Sequence, residues 1–327
     1  MAESRSAAAA DRFIEAVDGH VHFTWDATIP PIAEVESGTA VTIETRTGED
    51  GQLRPGDGPD AVDRLDFSRL HALTGPIAIR GARPGDLLAV SVEAIETAPT
   101  GFVLQRPSAG VLRDFPTYLR FVELDRVAGV ARFAAGVDVP LAPFLGVMGV
   151  APAGPPVRTI EPGPFGGNLD CRDLGAGSTL YLPVQVPGAL FSCGDAHAAQ
   201  GDGEVCVTAI ETAVRARLRF DLLEPRVRLQ DPVAETADAW LTLSAAETVE
   251  VAAAQAVRAM IELIEASTSL SQADAYALLS VAADVRVNQL VNGARPGVRV
   301  VLPKTVLDLE PPGRPQRRAA SAPTLRP

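Results

Sequence analysis

Short apolar segments interrupted by glycine and proline constrain the fold of this 327-residue chain more than any other feature. Apolar runs at residues 76–79 and 87–95 are separated by the turn sequences ARPGD and APTG. Around Val41 and Ile43, apolar and polar residues alternate with the two-residue period of a half-buried strand. Residues 111–124 have the composition of a further strand. Strands at this spacing are typical of a β-sandwich or barrel, so the chain is predicted to be mainly β.

Helical periodicity appears only late in the chain. Ser244 and Glu247 form a capping-box pattern ahead of a segment with apolar residues at helical spacing. Ser271 and Asp274 begin a second such segment, which is predicted to continue toward Asn288. The two segments predict an αα unit packed on one face of the β structure, which makes the expected fold class α+β with a dominant β part.

The length of the chain allows one large domain or two closely joined ones. A segment rich in proline and glycine near residues 150–163 is the predicted boundary. It separates an N-terminal β-rich region, residues 13–155, from a C-terminal β-rich region, residues 156–310, which carries the candidate motifs and both helices. Residues 1–12 and the Pro/Arg-rich tail, residues 311–327, are predicted to be disordered because they have little apolar surface to bury.

Charge and cysteine content narrow the choice of partners. The net charge of −12 argues against nucleic acid and anionic membranes, since both attract basic surfaces. The sequence shows no signal peptide and no apolar stretch long enough to span a membrane. An odd number of cysteines, Cys171, Cys193 and Cys206, fits a reducing cytoplasm. They are interpreted as small buried residues, with a nucleophilic cysteine as the alternative.

Most of the candidate chemistry lies between residues 163 and 211. Residues two apart in a strand share a face, so Asp195 and His197 are predicted to project from the same side of one strand end. Asp170 follows the pair Gly166 and Gly167 on another segment. Donors that converge from separate segments could hold a divalent cation, and the combination of imidazole and carboxylate favours zinc over calcium. The alternative is structural, because Gly-Asp pairs are common in turns and a single histidine is often only hydrogen-bonded.

Further carboxylates and a histidine complete the set of candidates. Asp202 and Glu204 flank a turn just after the proposed ligands, and Glu204 is the preferred general base with Asp202 as a second catalytic candidate. His71, just before the segment GPI, and Glu44, at the end of an alternating strand, are weaker candidates near the site. The sequence contains no Gly-x-Ser-x-Gly elbow and no Ser-x-x-Lys, which argues against the common serine hydrolase designs.

Three segments resemble the acetamidase/formamidase family, which hydrolyses short aliphatic amides. GGNLDCRDLGAGSTLYLPVQVPGALFSCGDAHAAQGDGE at 166–204 is similar to a signature of that family. LHALTGPIAIRGARPGDLLAVSVEAIE at 70–96 and PFLGVMGVAPAG at 143–154 resemble two further family elements, and the likeness extends over roughly residues 20–310. The resemblance implies an amidase whose site uses the Asn168-Leu169-Asp170 and Gly194-Asp195-Ala196-His197 elements.

These observations predict a metal-dependent amidohydrolase that converts formamide, acetamide or a related small amide to ammonia and a carboxylate. A divalent metal held by Asp170, Asp195 and His197, zinc by preference and calcium or another divalent ion as alternatives, is expected to polarise the carbonyl and acidify a water. Asn168 and the backbone amides near Gly166 and Gly167 are expected to stabilise the oxyanion. A cytoplasmic homo-oligomer is expected. Two alternatives remain open: a hydrolase of a larger or cyclic amide, and a non-catalytic β-sandwich that binds a metal or small ligand.

Overall fold

Two β-sheets pack face to face in the computed structural model, which describes residues 12–316. The first half of the chain forms strands β1 (Arg12–Ile14), β2 (Val21–His22), β3 (Thr24–Trp25), β4 (Ala33–Val35), β5 (Thr39–Glu44), β6 (Leu73–Ile79), β7 (Leu87–Thr97), β8 (Thr100–Gln105), β9 (Tyr118–Asp125), β10 (Val130–Ala134), β11 (Val137–Pro140) and β12 (Phe144–Gly149), with short 3-10 helices at Pro59–Arg64 and Phe67–Arg69. The second half forms β13 (Val157–Arg158), β14 (Pro162–Gly163), β15 (Gly166–Asn168), β16 (Thr179–Pro183), β17 (Phe191–His197), β18 (Glu211–Thr212), β19 (Val214–Pro225), β20 (Val233–Glu235), β21 (Ala239–Ala245), α1 (Val249–Ser267), α2 (Gln272–Ala282), β22 (Asp284–Gln289), β23 (Gly297–Pro303) and β24 (Gly313–Pro315). The predicted fold class, mainly β with a late pair of helices, is confirmed.

Each sheet combines strands from both halves of the chain. The first sheet has the order β1-β5-β19-β7-β16-β20-β21-β23-β22, and β24 pairs with β19. The second has the order β11-β10-β9-β8-β18-β17-β12-β15-β14, and β6 joins it by pairing with β17 while β2 and β4 pair with β6. The strands of regions 13–155 and 156–310 alternate within the sheets, so the sheets mark no boundary between the two regions. The division into these regions stays a prediction.

The main core lies between the two sheets. Along β19 every second residue points inward, so Ala216, Leu218 and Phe220 are buried while the intervening arginines lie on the other face. Phe220 meets Phe191 of the opposite sheet with ring centroids 5.0 Å apart. Because long-range strand pairing and this shared core fix both sheets, the polar residues at the strand ends are held on a rigid base.

The helices cover the outer face of the first sheet, as predicted. Met260 and Leu263 of α1 and Leu279 of α2 pack with Trp240 and Leu302 of the sheet in a second buried cluster. The start of α2 agrees with its capping pattern, because the Ser271 hydroxyl accepts a hydrogen bond from the Asp274 amide.

Two details of the helix prediction are wrong. The cap of α1 is Thr248, whose hydroxyl accepts from the Val251 amide, while Ser244 belongs to β21. The second helix ends at Ala282 and does not continue toward Asn288, because residues 284–289 pair with β23 as an edge strand. Residues after Ala282 alternate charged and β-branched side chains, a pattern that suits a strand.

Other boundaries also differ from the sequence-based expectations. The strand expected at 111–124 begins only at Tyr118, and the preceding residues form a loop. The predicted disordered termini lie largely outside the described residues, but Arg12 belongs to β1 and β24 pairs with residues 223–225, so the predicted disorder is wrong there. Among the described residues, helices are too short or too polar to cross a bilayer.

Candidate active site

The candidate site lies where β17 and β18 run beside β12 in the second sheet. His197, the last residue of β17, pairs with Phe144 of β12 on one side and with Glu211 of β18 on the other. A Cβ at Gly146, on β12, would lie 2.5 Å from Asp170 Oδ1 and 2.7 Å from the Asp195 carbonyl oxygen. Only glycine therefore leaves room for the Asp170 carboxylate and the Asp195 backbone to lie so close to the strand.

The structure brings the three predicted metal ligands together. Asp170, Asp195 and His197 are all buried, and each offers a ligand atom within 4.8 Å of those of the other two. His197 Nδ1 lies 3.8 Å from Asp170 Oδ1, and His197 Nε2 lies 3.9 Å from Asp195 Oδ2. These side chains converge from two segments, as the spacing in the sequence indicated.

A second group shares the same imidazole. His197, Glu204 and Glu211 also place one ligand atom each within 4.8 Å of one another, and Glu211 Oε1 lies 3.2 Å from His197 Nε2. Glu204, the candidate general base, is therefore beside the predicted ligands. One buried imidazole is surrounded by four carboxyl groups.

Gln200 fixes the orientation of that imidazole. Its Nε2 donates to the backbone carbonyls of Asp170 and Asn288, at 2.9 and 3.2 Å, so its Oε1 must accept. His197 Nδ1 lies 2.8 Å from that oxygen and is therefore the donor. In the neutral ring, this leaves the lone pair on Nε2, directed toward the carboxylates, which is the arrangement found for metal-binding histidines.

Two further residues border the group from the N-terminal half. His71 Nδ1 lies 3.6 Å from Asp195 Oδ2, and the His71 backbone amide donates to Thr159 Oγ1 at 2.7 Å. Glu49 is buried on the loop after β5, where a Cβ at Gly48 would lie 2.1 Å from Asp195 Oδ1. The loop can carry Glu49 to the site only because Gly48 has no side chain.

Burial and mutual repulsion perturb these titratable groups. Burial raises the pKa of Glu204 well above its usual value, and the charge of Asp170 adds to the rise. Burial, together with the charges of Glu211 and Asp195, does the same to the pKa of Glu49. Burial also raises the pKa values of Asp170 and Glu211, although His197 opposes both rises.

Two opposing effects set the pKa of the His197 imidazole. Burial alone would lower the pKa of His197, but Glu211, Asp195 and Asp170 together raise it well above 6.5. The site thus has more acidic groups than its histidines can neutralise. Such an excess of buried carboxylates is characteristic of a place where a cation or a substrate completes the charge balance.

Unpartnered polar atoms and backbone conformation mark the same place. Among the described residues, eight buried side-chain atoms lack a hydrogen-bond partner, and six of them belong to this site: Glu49, His71, Asp170, His197, Glu204 and Glu211. The backbone φ angles of Asp170, Asp195 and Glu204 are 42°, 49° and 46°, in the left-handed region. Residues other than glycine adopt it at a cost of order 1 kcal/mol or more, often at functional sites.

Two of the other candidates, Asp202 and Glu44, are not part of either group. Asp202 accepts two hydrogen bonds from Arg299, at 2.9 and 3.1 Å, and so belongs to a separate ion-pair network. Glu44 forms an ion pair with Arg215 at 3.3 Å, and its side chain is 34% exposed. The assignment of Asp202 as catalytic and the placement of Glu44 near the site are therefore not supported by the geometry.

The Asn168 element adjoins the site through its backbone. Gly166 and Gly167 lie in β15 between β12 and β14, so neighbouring strands flank both edges of their backbone. The role of their amides in stabilising the oxyanion stays a prediction. The Asn168 carbonyl accepts from Asn292 Nδ2, which also donates to Asp170, and Asn168 Oδ1 is buried without a partner.

The cysteines fit the structural interpretation. All three are free, and burial raises the pKa of Cys171 and of Cys193 to about 12. Thiols with so high a pKa carry almost no thiolate at neutral pH, so neither is an activated nucleophile. Cys206 is half-buried and contacts the Thr208 carbonyl through its thiol.

Four residues of the site were not anticipated from the sequence. Glu211 directly follows the apolar run that ends at Ile210, and a carboxylate at such a strand end is a signal that could have found it. Glu49, Gln200 and Asn292 lie in polar turns whose composition does not distinguish them from surface loops. Only the tertiary structure brings them to His197 and Asp170.

Comparison with known proteins identifies the family. A family model described as the acetamidase/formamidase family matches residues 9–155 and 153–309. The chain belongs to the acetamidase/formamidase family. The resemblance recognised from three sequence segments is thereby confirmed, and membership of this family supports the predicted class of enzyme, a hydrolase of the C–N bond in linear amides.

Individual relatives agree with that assignment. An acetamidase from Bacillus halodurans has a TM-score of 0.85 and 33% identity, over 90% of this chain and 97% of the other. A formamidase from Methylophilus methylotrophus is 28% identical over 66% of this chain and 68% of its own length. A gamma lactamase from Delftia acidovorans has a TM-score of 0.64 and 25% identity, with 90% of both chains covered. The chain spans between 64% and 68% of the length of the curated relatives it matches.

Proposed function

We propose that this acetamidase/formamidase homologue hydrolyses a small linear amide, such as formamide or acetamide, to ammonia and a carboxylate. The observation that carries the proposal is the buried group of Asp170, Asp195, His197, Glu204 and Glu211, in which every residue but Asp195 has a side-chain atom without a hydrogen-bond partner. A purely structural cluster would be expected to satisfy its polar atoms internally. Family membership supplies the reaction class, and the cluster supplies groups that can perform it.

A divalent metal ion, zinc by preference, fits this site. Asp170 Oδ1 and His197 Nε2 are buried, unpartnered and ready to act as ligands, and Asp195 lies beside both. Gln200 presents the imidazole with its Nε2 lone pair inward, the form a metal requires. A divalent cation would also offset the repulsion that raises the carboxyl pKa values. The mixture of imidazole and carboxylate favours zinc, while calcium usually takes an all-oxygen shell.

Each residue of the site has a separate proposed role in the reaction. A bound metal supplies a Lewis acid that polarises an amide carbonyl and lowers the pKa of water. Glu204 accepts the proton of the attacking water as the new C–O bond forms, and gives it to the amide nitrogen as the C–N bond breaks. The raised pKa of Glu204 suits this part, because burial makes its carboxylate a stronger base than a solvated one. Asn168 is the proposed hydrogen-bond partner of the carbonyl oxygen during the reaction.

One specific observation favours a second candidate, a cyclic amide. The gamma lactamase described above shares the fold of this chain over 90% of its length. Hydrolysis of a lactam breaks the same kind of C–N bond and differs in that both product groups stay on one molecule. The same residues would serve, and the choice between the two substrates depends on the shape of the pocket.

The decisive experiment measures ammonia release from formamide, acetamide and propionamide, and ring opening of a γ-lactam, with bound metal quantified on the same samples. Activity should disappear when a chelator removes stoichiometric metal and return when zinc is added. Full activity in metal-free protein would contradict the metal assignment. A metal-binding protein silent toward all amides would favour the non-catalytic alternative. The cytoplasmic location and the homo-oligomeric state stay predictions.

A further inference from the structure

A pocket of about 250 Å³ opens directly from the candidate site. Glu49, His71 and Asn292 line it, and the latter two contact Asp195 and Asp170 respectively. Acetamide has four heavy atoms and occupies on the order of 100 Å³, judged from the ~30 Å³ of a water molecule. The pocket is therefore larger than acetamide needs, and the surplus volume calls for a longer acyl group.

Beyond those three residues the lining of the pocket is mixed, and Arg106, Ser108, Arg113 and Thr208 supply polar groups. Leu65, Leu70, Leu104, Ile160 and Val207 form its apolar walls. Methylene groups of a substrate would gain about 0.8 kcal/mol for each CH₂ buried against such walls. This part of the pocket fits an aliphatic chain.

A guanidinium group stands in the same pocket. Arg106 follows β8, is half-buried, and stacks over the Phe67 ring with its Cζ 4.6 Å from the centroid. Within residues 12–316, neither Arg106 nor Arg113, a second lining residue, has a carboxylate partner within ion-pair distance. Elsewhere the described arginines are commonly paired, as Arg132 is with Asp125 and Asp138. A guanidinium held by stacking and left without an anion offers two parallel donors that match a carboxylate.

We propose that the preferred substrates are ω-carboxylate amides, in which an aliphatic chain joins the scissile amide to a carboxylate bound by Arg106. This inference rests on the proposed amidase function and adds the class of acyl group. The amide end lies at the His197 site, the methylenes contact the apolar walls, and the carboxylate reaches the guanidinium. Hydrolysis consumes water and yields a dicarboxylate and ammonia. Upstream chemistry must therefore supply a monoamide of a dicarboxylic acid.

The test compares kcat/KM of the zinc-loaded enzyme for two matched series of amides. The first series consists of the monoamides of C4 to C6 dicarboxylic acids, and the second consists of neutral monoamides of the same chain length. Acetamide is the reference substrate. The wild-type enzyme should prefer the charged member at one chain length. In Arg106→Gln that preference should fall by roughly tenfold to a hundredfold, mainly through KM, with acetamide turnover nearly unchanged. Arg106→Lys should retain part of it. Arg120→Gln is the control, because Arg120 also stacks on aromatic rings but does not line the pocket.

A binding measurement separates this proposal from the amidase function itself. Calorimetry of glutarate with the zinc-loaded protein should show binding that Arg106→Gln weakens and Arg120→Gln does not. Binding that depends on Arg106 in a protein silent toward all amides would retain the pocket assignment and overturn the proposed reaction. Two results would overturn the pocket assignment and leave the amidase function intact. One is hydrolysis of acetamide without any preference for charged amides. The other is an equal loss of kcat/KM on both series in Arg106→Gln.

Discussion

Two polar clusters, one around the buried Arg299 and one around the buried His197, differ in how their charges are satisfied. Around Arg299, the guanidinium donates to Asp173, Asn288 and Asp202 at distances from 2.6 to 3.1 Å. Around His197, four carboxyl groups face one imidazole, and several of their atoms lack partners. Asp202 and Glu204 are two residues apart, yet one belongs to the first cluster and the other to the second.

The contrast distinguishes polar residues that stabilise the fold from polar residues that bind a ligand. A buried guanidinium whose hydrogen bonds are met by Asp173, Asn288 and Asp202 needs nothing from outside the chain. A buried group of like charges without partners raises the free energy of the folded protein until a ligand arrives. Aspartates occur in both clusters, and the number of internal partners is what distinguishes them.

The strongest test of this contrast exchanges Asp195 and Asp202 separately for alanine. Asp195→Ala removes a proposed ligand, so bound metal should be lost and turnover should fall by at least roughly a thousandfold, as expected when several kcal/mol of electrostatic stabilisation disappear. Asp202→Ala should leave metal and turnover within a few-fold of wild type. It should instead lower the free energy of unfolding by about 1–3 kcal/mol, because Arg299 loses one partner.

Metal analysis, amide turnover and denaturant unfolding of both variants provide the measurement. The reverse pattern, with Asp202→Ala inactive and Asp195→Ala still loaded and active, would refute the division between the two clusters. The wild-type protein stripped of metal is the control for Asp195→Ala.

Substitution of Glu204 by glutamine tests the proton transfer within the functional cluster. Glutamine keeps the size of the side chain and cannot accept the proton of water, so turnover should fall by roughly a hundredfold to ten-thousandfold with metal still bound. Turnover and metal content are measured on one preparation. Retention of wild-type turnover would remove Glu204 from the mechanism and direct attention to Glu49, which is equally buried.

A smaller effect is expected from Gln200→Leu. Leucine cannot accept the hydrogen bond from His197 Nδ1, so the imidazole loses the partner that fixes its tautomer. Zinc affinity should fall by roughly tenfold to a hundredfold, measured by competition with a chromophoric chelator. Gln200→Glu keeps an acceptor and is the matched control. Equal losses in both variants would show that Gln200 acts through its backbone contacts alone.

Much of the fold follows from local patterns. The alternation around Val41 and Ile43 and the Gly/Pro turns predict short strands, and the Ser271 cap predicts the start of α2. The end of α2 was misplaced although the alternation of charged and β-branched residues after Ala282 suits a strand, and the pairing of residues 284–289 with β23 shows where the helix stops. Local propensity and tertiary pairing agree at this boundary.

The candidate site could be predicted only in part. Asp195 and His197 were predictable because one strand end carries both, and Glu204 follows closely in the chain. Glu49 could not be predicted, since its approach depends on a glycine, Gly48, passing against Asp195 from a loop nearly 150 residues away. Asp202 was misassigned because its partner, Arg299, comes from β23 and nothing near Asp202 in the sequence indicates it.

The interleaving of strands within both sheets has a consequence for dissecting the molecule. Strand β19 pairs with β5 over Arg215–Phe220 on one side and with β7 over Val214–Leu223 on the other. Strand β17 lies between β12 and β18 and also pairs with β6. A chain cut between residues 150 and 163 would leave each fragment with exposed strand edges and an incomplete site. Activity from such fragments would require their reassociation, which makes this cut a candidate position for a split reporter whose signal is amide turnover.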